Sequence, residues 1–285
     1  MKSVLVTGAT GFIGGYVVNE LLNKGISVTA TSSNLAKAAN KDWFSKATYL
    51  PMDLKELDAE ANYFEFFNSP DIIIHLAWEG LPNYKSLFHF EENLPRHYRF
   101  LKNLVVNGAK DITVIGTCFE YGMQEGELLE TMPALPTNPY GLAKDTLRKQ
   151  LEELNKFYPF SLKWPRLFYM YGVGQNPKSL FSQLEVAIER GDTVFNMSGG
   201  EQVRDFLPVE EIAANIVTIA LQNKIEGVIN CSSGIPKTVK TLVGEYLVQQ
   251  KATIQLNLGF YPYPDYEPMR FWGNIEKLTK IKNNE

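Results

Sequence analysis

Eight residues near the start of the chain, Thr7-Gly8-Ala9-Thr10-Gly11-Phe12-Ile13-Gly14, constrain its fold more than any other feature. They follow the apolar run Val4-Leu5-Val6 and precede Tyr16, Val17, Val18, Leu21 and Leu22 at helical spacing, so the glycines join a strand to a helix. In that setting Gly8 suits a tight turn, Gly11 the approach of backbone to a pyrophosphate, and Gly14 the packing of helix on sheet. Free N–H groups at the helix start are then available to phosphate oxygens. The spacing is GxxGxxG rather than GxGxxG, and a bare glycine pattern serves equally well as a plain turn. The strand before it and the helix after it make nucleotide binding the expected role.

The same alternation continues along the chain. Strands are predicted over 26–31, 47–51, 71–76, 111–116, 160–164 and 228–230, and helices over 91–107, 140–157, 180–190 and 210–222. Gly25 is expected at C′ of the first helix. Asp71-Ile72-Ile73-Ile74-His75-Leu76 is a continuous apolar run, the signature of a strand covered on both faces. Repeated βα units imply a parallel sheet with helices on both sides, an α/β doubly wound Rossmann fold. The dinucleotide-binding domain is expected over 1–165 with returns near 206–232. Residues 166–205 and 233–285 are assigned to a smaller C-terminal substrate lobe. The stretch 204–208 reads as one extended segment, and the proline-rich Tyr261-Pro262-Tyr263-Pro264-Asp265-Tyr266 as neither helix nor central strand.

Composition excludes several classes. A chain of 285 residues with 45% hydrophobic and 21% charged residues can bury a core without staples. A net charge of −4 argues against nucleic acid or acidic lipid as partner. Cys118 and Cys231 lie far apart, and the three histidines His75, His89 and His97 have no ligand spacing, so neither a disulfide framework nor a metal is expected. No apolar run approaches the ~18 residues of a membrane span. Residues 1–6 run directly into the glycine motif, so no signal peptide is expected and the location is read as cytoplasmic.

The end of the second strand bears on the cofactor. NAD-binding domains usually carry an acidic residue about 20 residues past the glycines, on the ribose 2′-OH. Here the stretch is Thr29-Ala30-Thr31-Ser32-Ser33-Asn34, without an acid, and Lys37 follows. Ser32, Ser33, Asn34 and Lys37 suit a 2′-phosphate, so NADP (NADPH) is expected, with NAD as the alternative; the same residues also suit an ordinary polar loop. Asp53 and Leu54 fall where an adenine would lie, and Leu76, Ala77 and Trp78 where a strand end would line a dinucleotide.

Tyr140 and Lys144 stand four residues apart on one helical face. A neighbouring ammonium favours phenolate and lowers the tyrosine toward working pH. Such a pair is also common on plain exposed helices. Thr117 adds a hydroxyl at the end of a predicted strand, where the carboxyl edge of a sheet forms its ligand crevice.

With these residues in view, the chain resembles the extended short-chain dehydrogenase/reductase family of sugar-nucleotide epimerases, dehydratases and reductases. The matching pieces are TGATGFIG (Thr7–Gly14), HLAW (His75–Trp78), Asn93, GTCFEYG (Gly116–Gly122), NPYGLAK (Asn138–Lys144), WPRLFYMYGVGQ (Trp164–Gln175) and VRDFLPVEEIA (Val203–Ala213). The resemblance implies a catalytic triad of Thr117, Tyr140 and Lys144, with Thr117 replacing the commoner serine. It also implies cofactor contacts from Gly8, Thr10, Gly11, Phe12, Ile13, Gly14 and Leu167, besides Tyr140 and Lys144. A nucleoside-diphosphate sugar is implied as substrate, with Asn93, Tyr169, Ser179 and Arg204 near it. Arg204 is similar to the arginine that pairs with the diphosphate; a plain salt bridge remains its other reading. Tyr169 replaces a common Asn. Cys118 and Phe119 replace the acidic pair of dehydratases, which argues against that activity. The aromatic tail resembles those of 4-keto-deoxysugar reductases of the abequose and paratose synthase type. The leading expectation is therefore an NADPH-dependent 4-ketoreductase, with an NAD-retaining 4-epimerase second and a non-enzymatic NADP sensor third. A homodimer through the helices 91–107 and 140–157 is implied as well.

Overall fold

The computed structural model describes residues 2–284; Met1 and Glu285, the outermost residues of the two expected units, lie outside them. Strand β1 (Ser3–Thr7) passes through the glycine turn into α1 (Phe12–Asn23) and returns as β2 (Ser27–Thr31). Then come α2 (Leu35–Ala39), β3 (Thr48–Tyr49), α3 (Tyr63–Phe66) and β4 (Ile72–His75). Helix α4 (Leu94–Val106) leads to β5 (Asp111–Val114), β6 (Gly116–Thr117) and β7 (Gly126–Leu128). Helix α5 (Pro139–Asn155) precedes β8 (Ser161–Leu167) and β9 (Tyr169–Tyr171), followed by α6 (Leu180–Arg190), β10 (Val194–Asn196), β11 (Val203–Arg204) and β12 (Phe206–Pro208). The chain closes with α7 (Val209–Leu221), β13 (Gly227–Cys231), β14 (Lys237–Thr238), α8 (Val239–Gln249), β15 (Gln255–Asn257), β16 (Phe271–Gly273) and α9 (Glu276–Lys282).

The main sheet is parallel and ordered β13-β8-β5-β4-β1-β2-β3, with β6 also pairing β8. The order reverses between β1 and β4, so their carboxyl ends splay apart and leave a crevice there. Side chains alternate across the pleat. Val4, Val6, Ile72 and Ile74 face α1 and α7 through Val17, Leu21, Ile212 and Ile216. Leu5, Ile73 and Ile112 face α4 and α5 through Phe100, Leu104, Leu147 and Leu151. A smaller C-terminal lobe has its own core of Phe181, Leu184, Phe195, Met197, Val243 and Leu247.

Local chemistry sets several boundaries. Gly25 takes φ +71° and donates to Leu22 O, ending α1 as a left-handed C′ residue. Asn138 caps α5 by accepting from Gly141 N–H at 2.8 Å, with Pro139 as first helical residue. The third strand, at the sheet edge, pairs over two residues rather than five, although Leu50 and Met52 N–H still donate to Ala30 O and Ser32 O beyond it. The expected extended segment 204–208 is two strands: β11 pairs antiparallel with β14 and β12 parallel with β9. Asp205 sits between them, buried, and accepts from Ser233 N–H, Ser233 Oγ and Gly234 N–H. Among the described residues no helix is long and apolar enough to cross a membrane, and no cluster of His, Cys, Asp and Glu is arranged to hold a metal.

Candidate active site

The crevice between β1 and β4 opens into a cleft walled by the glycine turn, the ends of β2 and β4, and residues 52–55. Gly8 takes φ +68°, and a Cβ there would lie 2.8 Å from Ala77 N, so the glycine turn presses directly on the end of β4. Helix α1 begins at Gly11 without a side-chain cap and without acidic residues in its first turn, leaving its N–H groups for an anion. Of the expected cofactor residues, Gly8, Thr10, Gly11, Ser32, Ser33, Lys37, Asp53, Leu54, Leu76, Ala77 and Trp78 line this cleft. Phe12 and Ile13 open α1 half-buried, Ile13 packing on the core, and Gly14 lies beneath the turn. Leu167 is buried at the end of β8, in register with Thr117.

Two of the four side chains expected to hold a 2′-phosphate are engaged elsewhere. Asn34 caps α2 by accepting from Lys37 N–H at 2.8 Å. Ser32 Oγ is 2.9 Å from the Tyr49 hydroxyl. Thr31 Oγ1, by contrast, is buried without a hydrogen-bond partner on the cleft wall.

Thr117, Tyr140 and Lys144 converge at the carboxyl edge beside the cleft, each less than a tenth exposed. Thr117 ends β6, and its Oγ1 accepts from Phe119 N–H at 3.3 Å. Lys144 Nζ donates to Ile115 O at 3.0 Å and lies 4.0 Å from the Trp78 ring centroid. Burial lowers the Lys144 ammonium to about 7, with Glu120 pulling the other way. Burial raises the Tyr140 phenol, which the Thr117 side chain counters. The tyrosine ring is enclosed by His89, Tyr84, Trp78 and Phe119 at centroid distances of 5.2, 5.7, 6.2 and 6.2 Å. Tyr266 from the aromatic tail packs on Tyr84 and Phe119.

The residues expected around the substrate are less united. Asn93 donates to Glu79 O at 2.9 Å and lines the cofactor cleft. Ser179 caps α6, bonded to Ser182. Arg204 is 2% exposed, donates through Nη1 to Val203 O and Met269 O, and pairs with Glu267 at 3.0 Å. Tyr169 donates to the same Glu267. Burial pushes the Glu267 carboxyl up to about 7.

Sequence reading missed Glu120, Glu267, Tyr84 and the histidine pair. The signal for His97 was its place one turn after Asn93 on the same helix face. His75 Nε2 is 2.7 Å from His97 Nδ1, and His75 Nδ1 is 2.9 Å from Thr7 Oγ1. Burial, then Lys144, lowers His75 to about 3; burial, then His75, lowers His97 well below its ordinary value. Both rings are therefore neutral in the native state at pH 7. A depressed histidine contributes stability that is present above the unfolded value of roughly 6.5 and is lost as pH falls toward the native value. The pair is therefore expected to lower stability as pH falls from 7 to 5. Urea unfolding across this range should show a smaller pH-dependent loss in His97→Gln; an unchanged slope would contradict it.

A model of the NAD dependent epimerase/dehydratase family matches residues 4–232. The chain is 31% identical to a dTDP-6-deoxy-L-talose 4-dehydrogenase (NAD(+)) of Aggregatibacter actinomycetemcomitans, over 95% of its own length and 99% of that protein. It is 27% identical to a GDP-6-deoxy-D-talose 4-dehydrogenase of the same organism, over 99% and 92%. Among solved structures it is similar to the UDP-glucuronic acid 4-epimerase of Bacillus cereus with UDP-glucuronic acid and NAD, with a TM-score of 0.83, 21% identity and coverage of 99% and 93%.

These findings correct two expectations. NADP (NADPH) as cofactor is overturned: the 4-dehydrogenase with which the chain aligns over nearly its whole length is named for NAD(+). A physical reason lies in Ser32, whose Oγ already meets the Tyr49 hydroxyl. The NADPH-dependent 4-ketoreductase is overturned with it, since the two relatives are named as 4-dehydrogenases, one of them for NAD(+). The likeness to abequose and paratose synthases gives way to the broader family.

Proposed function

The chain belongs to the NAD dependent epimerase/dehydratase family, and from that premise we propose that it is an NAD-dependent 4-dehydrogenase of a nucleoside-diphosphate sugar. The observation that carries the reading is the convergence of Thr117, Tyr140 and Lys144 beside the cleft, in a chain that aligns end to end with a 4-dehydrogenase named for NAD(+). The cleft fits NAD: α1 offers uncapped N–H groups to a pyrophosphate and Thr31 an unpartnered hydroxyl on the cleft wall.

NAD, when bound, supplies the hydride acceptor. Tyr140 Oη takes the proton from the sugar 4-hydroxyl, and Thr117 Oγ1 holds the same oxygen as it becomes a carbonyl. Burial disfavours the phenolate that Tyr140 needs. The Lys144 ammonium offsets that cost, held on the same helical face by Ile115 O and the Trp78 ring. Residues 166–205 and 233–285 hold the sugar nucleotide on this reading, and Arg204 reaches its diphosphate only by releasing Glu267. The exposed Phe157 and Tyr158, just after α5, suit the homodimer face.

A second reading, 4-epimerase, is favoured by the enclosure of Tyr140 under Tyr84, Phe119 and Tyr266, which suits retention of a ketone for re-reduction. Incubation of purified protein with NAD or NADP and dTDP-, UDP- or GDP-6-deoxyhexoses tests both. Turnover at least about tenfold more efficient with NAD, a difference of about 1.4 kcal/mol, is expected, with a free 4-ketosugar as product. A C4 epimer without net reduced cofactor would select the epimerase, and a preference for NADP would overturn the cofactor assignment.

A further inference from the structure

Behind Thr117 lies a carboxylate for which the reaction above has no use. Glu120 is wholly buried. Its Oε1 accepts from Thr117 N–H at 2.8 Å and from Trp164 Nε1 at 2.9 Å. Its Oε2 accepts from Arg166 Nε at 2.7 Å. Thr117 Oγ1 and the Glu120 side chain cap the turn Cys118–Tyr121 reciprocally, so the carboxylate fixes the Thr117 backbone while the Thr117 hydroxyl holds Phe119 N–H. Gly116 leaves room for this contact: a Cβ there would lie 2.2 Å from Trp164 Nε1 and 2.6 Å from Glu120 Oε1. Arg166 is held in turn 4.3 Å from the Tyr121 ring centroid.

A glutamine would complete the same capping box. An ionised carboxylate in this place is costly to desolvate, and its arginine offsets that cost only with good geometry. The charge itself therefore calls for a reason, and the pair Tyr140–Lys144 supplies one.

Resting on the proposed roles of Thr117 and Tyr140, we propose that Glu120 is a positioning residue of the reaction, which orients Thr117 through its backbone and, with Arg166 as counter-charge, sets the field felt by Tyr140 and Lys144. Glu120 raises both of those groups. The other groups around them are accounted for. Tyr84 and Cys118 act on Tyr140 in the same sense as Glu120. The burial-lowered His75, His89 and His97 lie near Lys144 and are neutral. Glu267 acts on Tyr84 and Cys118, and Glu130 on Tyr121, at one remove. Removing the Glu120 charge therefore lowers Tyr140 and Lys144 together.

The test compares the wild type with Glu120→Gln and with the double variant Glu120→Gln/Arg166→Gln, which leaves no unpaired buried guanidinium and guards against misfolding of the single variant. Both limbs of the pH–kcat profile are expected to move acidward in Glu120→Gln by about one unit, and by less in the double variant. Turnover should fall more than KM changes. A role confined to folding predicts a lower melting temperature with unmoved limbs. The Lys144 midpoint, followed by NMR on ¹³C-lysine protein without substrate, should fall in parallel from its value near 7. Unmoved limbs or an unmoved Lys144 midpoint in folded variants would overturn the proposal. If the wild type turns over no nucleoside-diphosphate sugar, the proposed function fails, and the Lys144 midpoint still decides the role of Glu120.

Discussion

Tyr140→Phe is expected to lower turnover by about a thousandfold, the scale of a lost general acid–base group, while NAD affinity changes by no more than a few fold. The reasoning is local. The ring is 7% exposed and held by His89, Tyr84, Trp78 and Phe119, so phenylalanine keeps the packing and removes only the hydroxyl. Thr117 and Lys144 remain to bind and polarise, but neither accepts the proton in its place: Lys144 Nζ is committed to Ile115 O. Thermal unfolding should be near that of the wild type. Steady-state kinetics and an NAD titration check the split; a loss of tenfold or less would remove Tyr140 from the proton transfer.

Gly14→Ala is the second large effect. A Cβ at this position would lie 2.2 Å from Gly8 O and 2.9 Å from Ala9 Cα. Both obstacles are backbone in the turn that carries the free N–H groups, so no side chain can rotate away. Either α1 lifts from the sheet or the turn opens, and each displaces the N–H groups from a pyrophosphate. Overpacking of this kind costs about 1–3 kcal/mol of stability, and NAD affinity is expected to fall by about a hundredfold, close to 3 kcal/mol. Calorimetric titration with NAD, alongside a thermal melt, reads both. Wild-type affinity in a folded Gly14→Ala protein would contradict the role given to the turn.

The sheet was legible in the sequence because its strands are uninterrupted apolar runs with both faces covered, as in Ile72-Ile73-Ile74. The edge strand β3 was less so, since it pairs on one side alone and over two residues. Thr117, Tyr140 and Lys144 were legible by type and spacing, and the structure brings them together. The surroundings of Tyr140 were not: Tyr84, Phe119 and Tyr266 come from three separate loops and turns, related by no period. The cofactor expectation rested on the donors that Ser32, Ser33, Asn34 and Lys37 carry, whereas what each side chain offers a ligand depends on its place in the fold: Ser32 Oγ meets the Tyr49 hydroxyl, and Asn34 turns its Oδ1 to cap α2. Glu267 was hidden because it reaches Arg204 from the aromatic tail, across more than sixty residues of chain.

The central claim is hydride removal from sugar carbon 4 onto NAD. Its most direct test is a nucleoside-diphosphate 6-deoxyhexose carrying deuterium at C4, incubated with the protein and NAD, with the cofactor then analysed by mass spectrometry and NMR. Deuterium is expected at nicotinamide C4 of the reduced cofactor, and none when the label is placed at C3 or C5 of the sugar. Reduced NAD without the label, or label arriving from another sugar carbon, would contradict it.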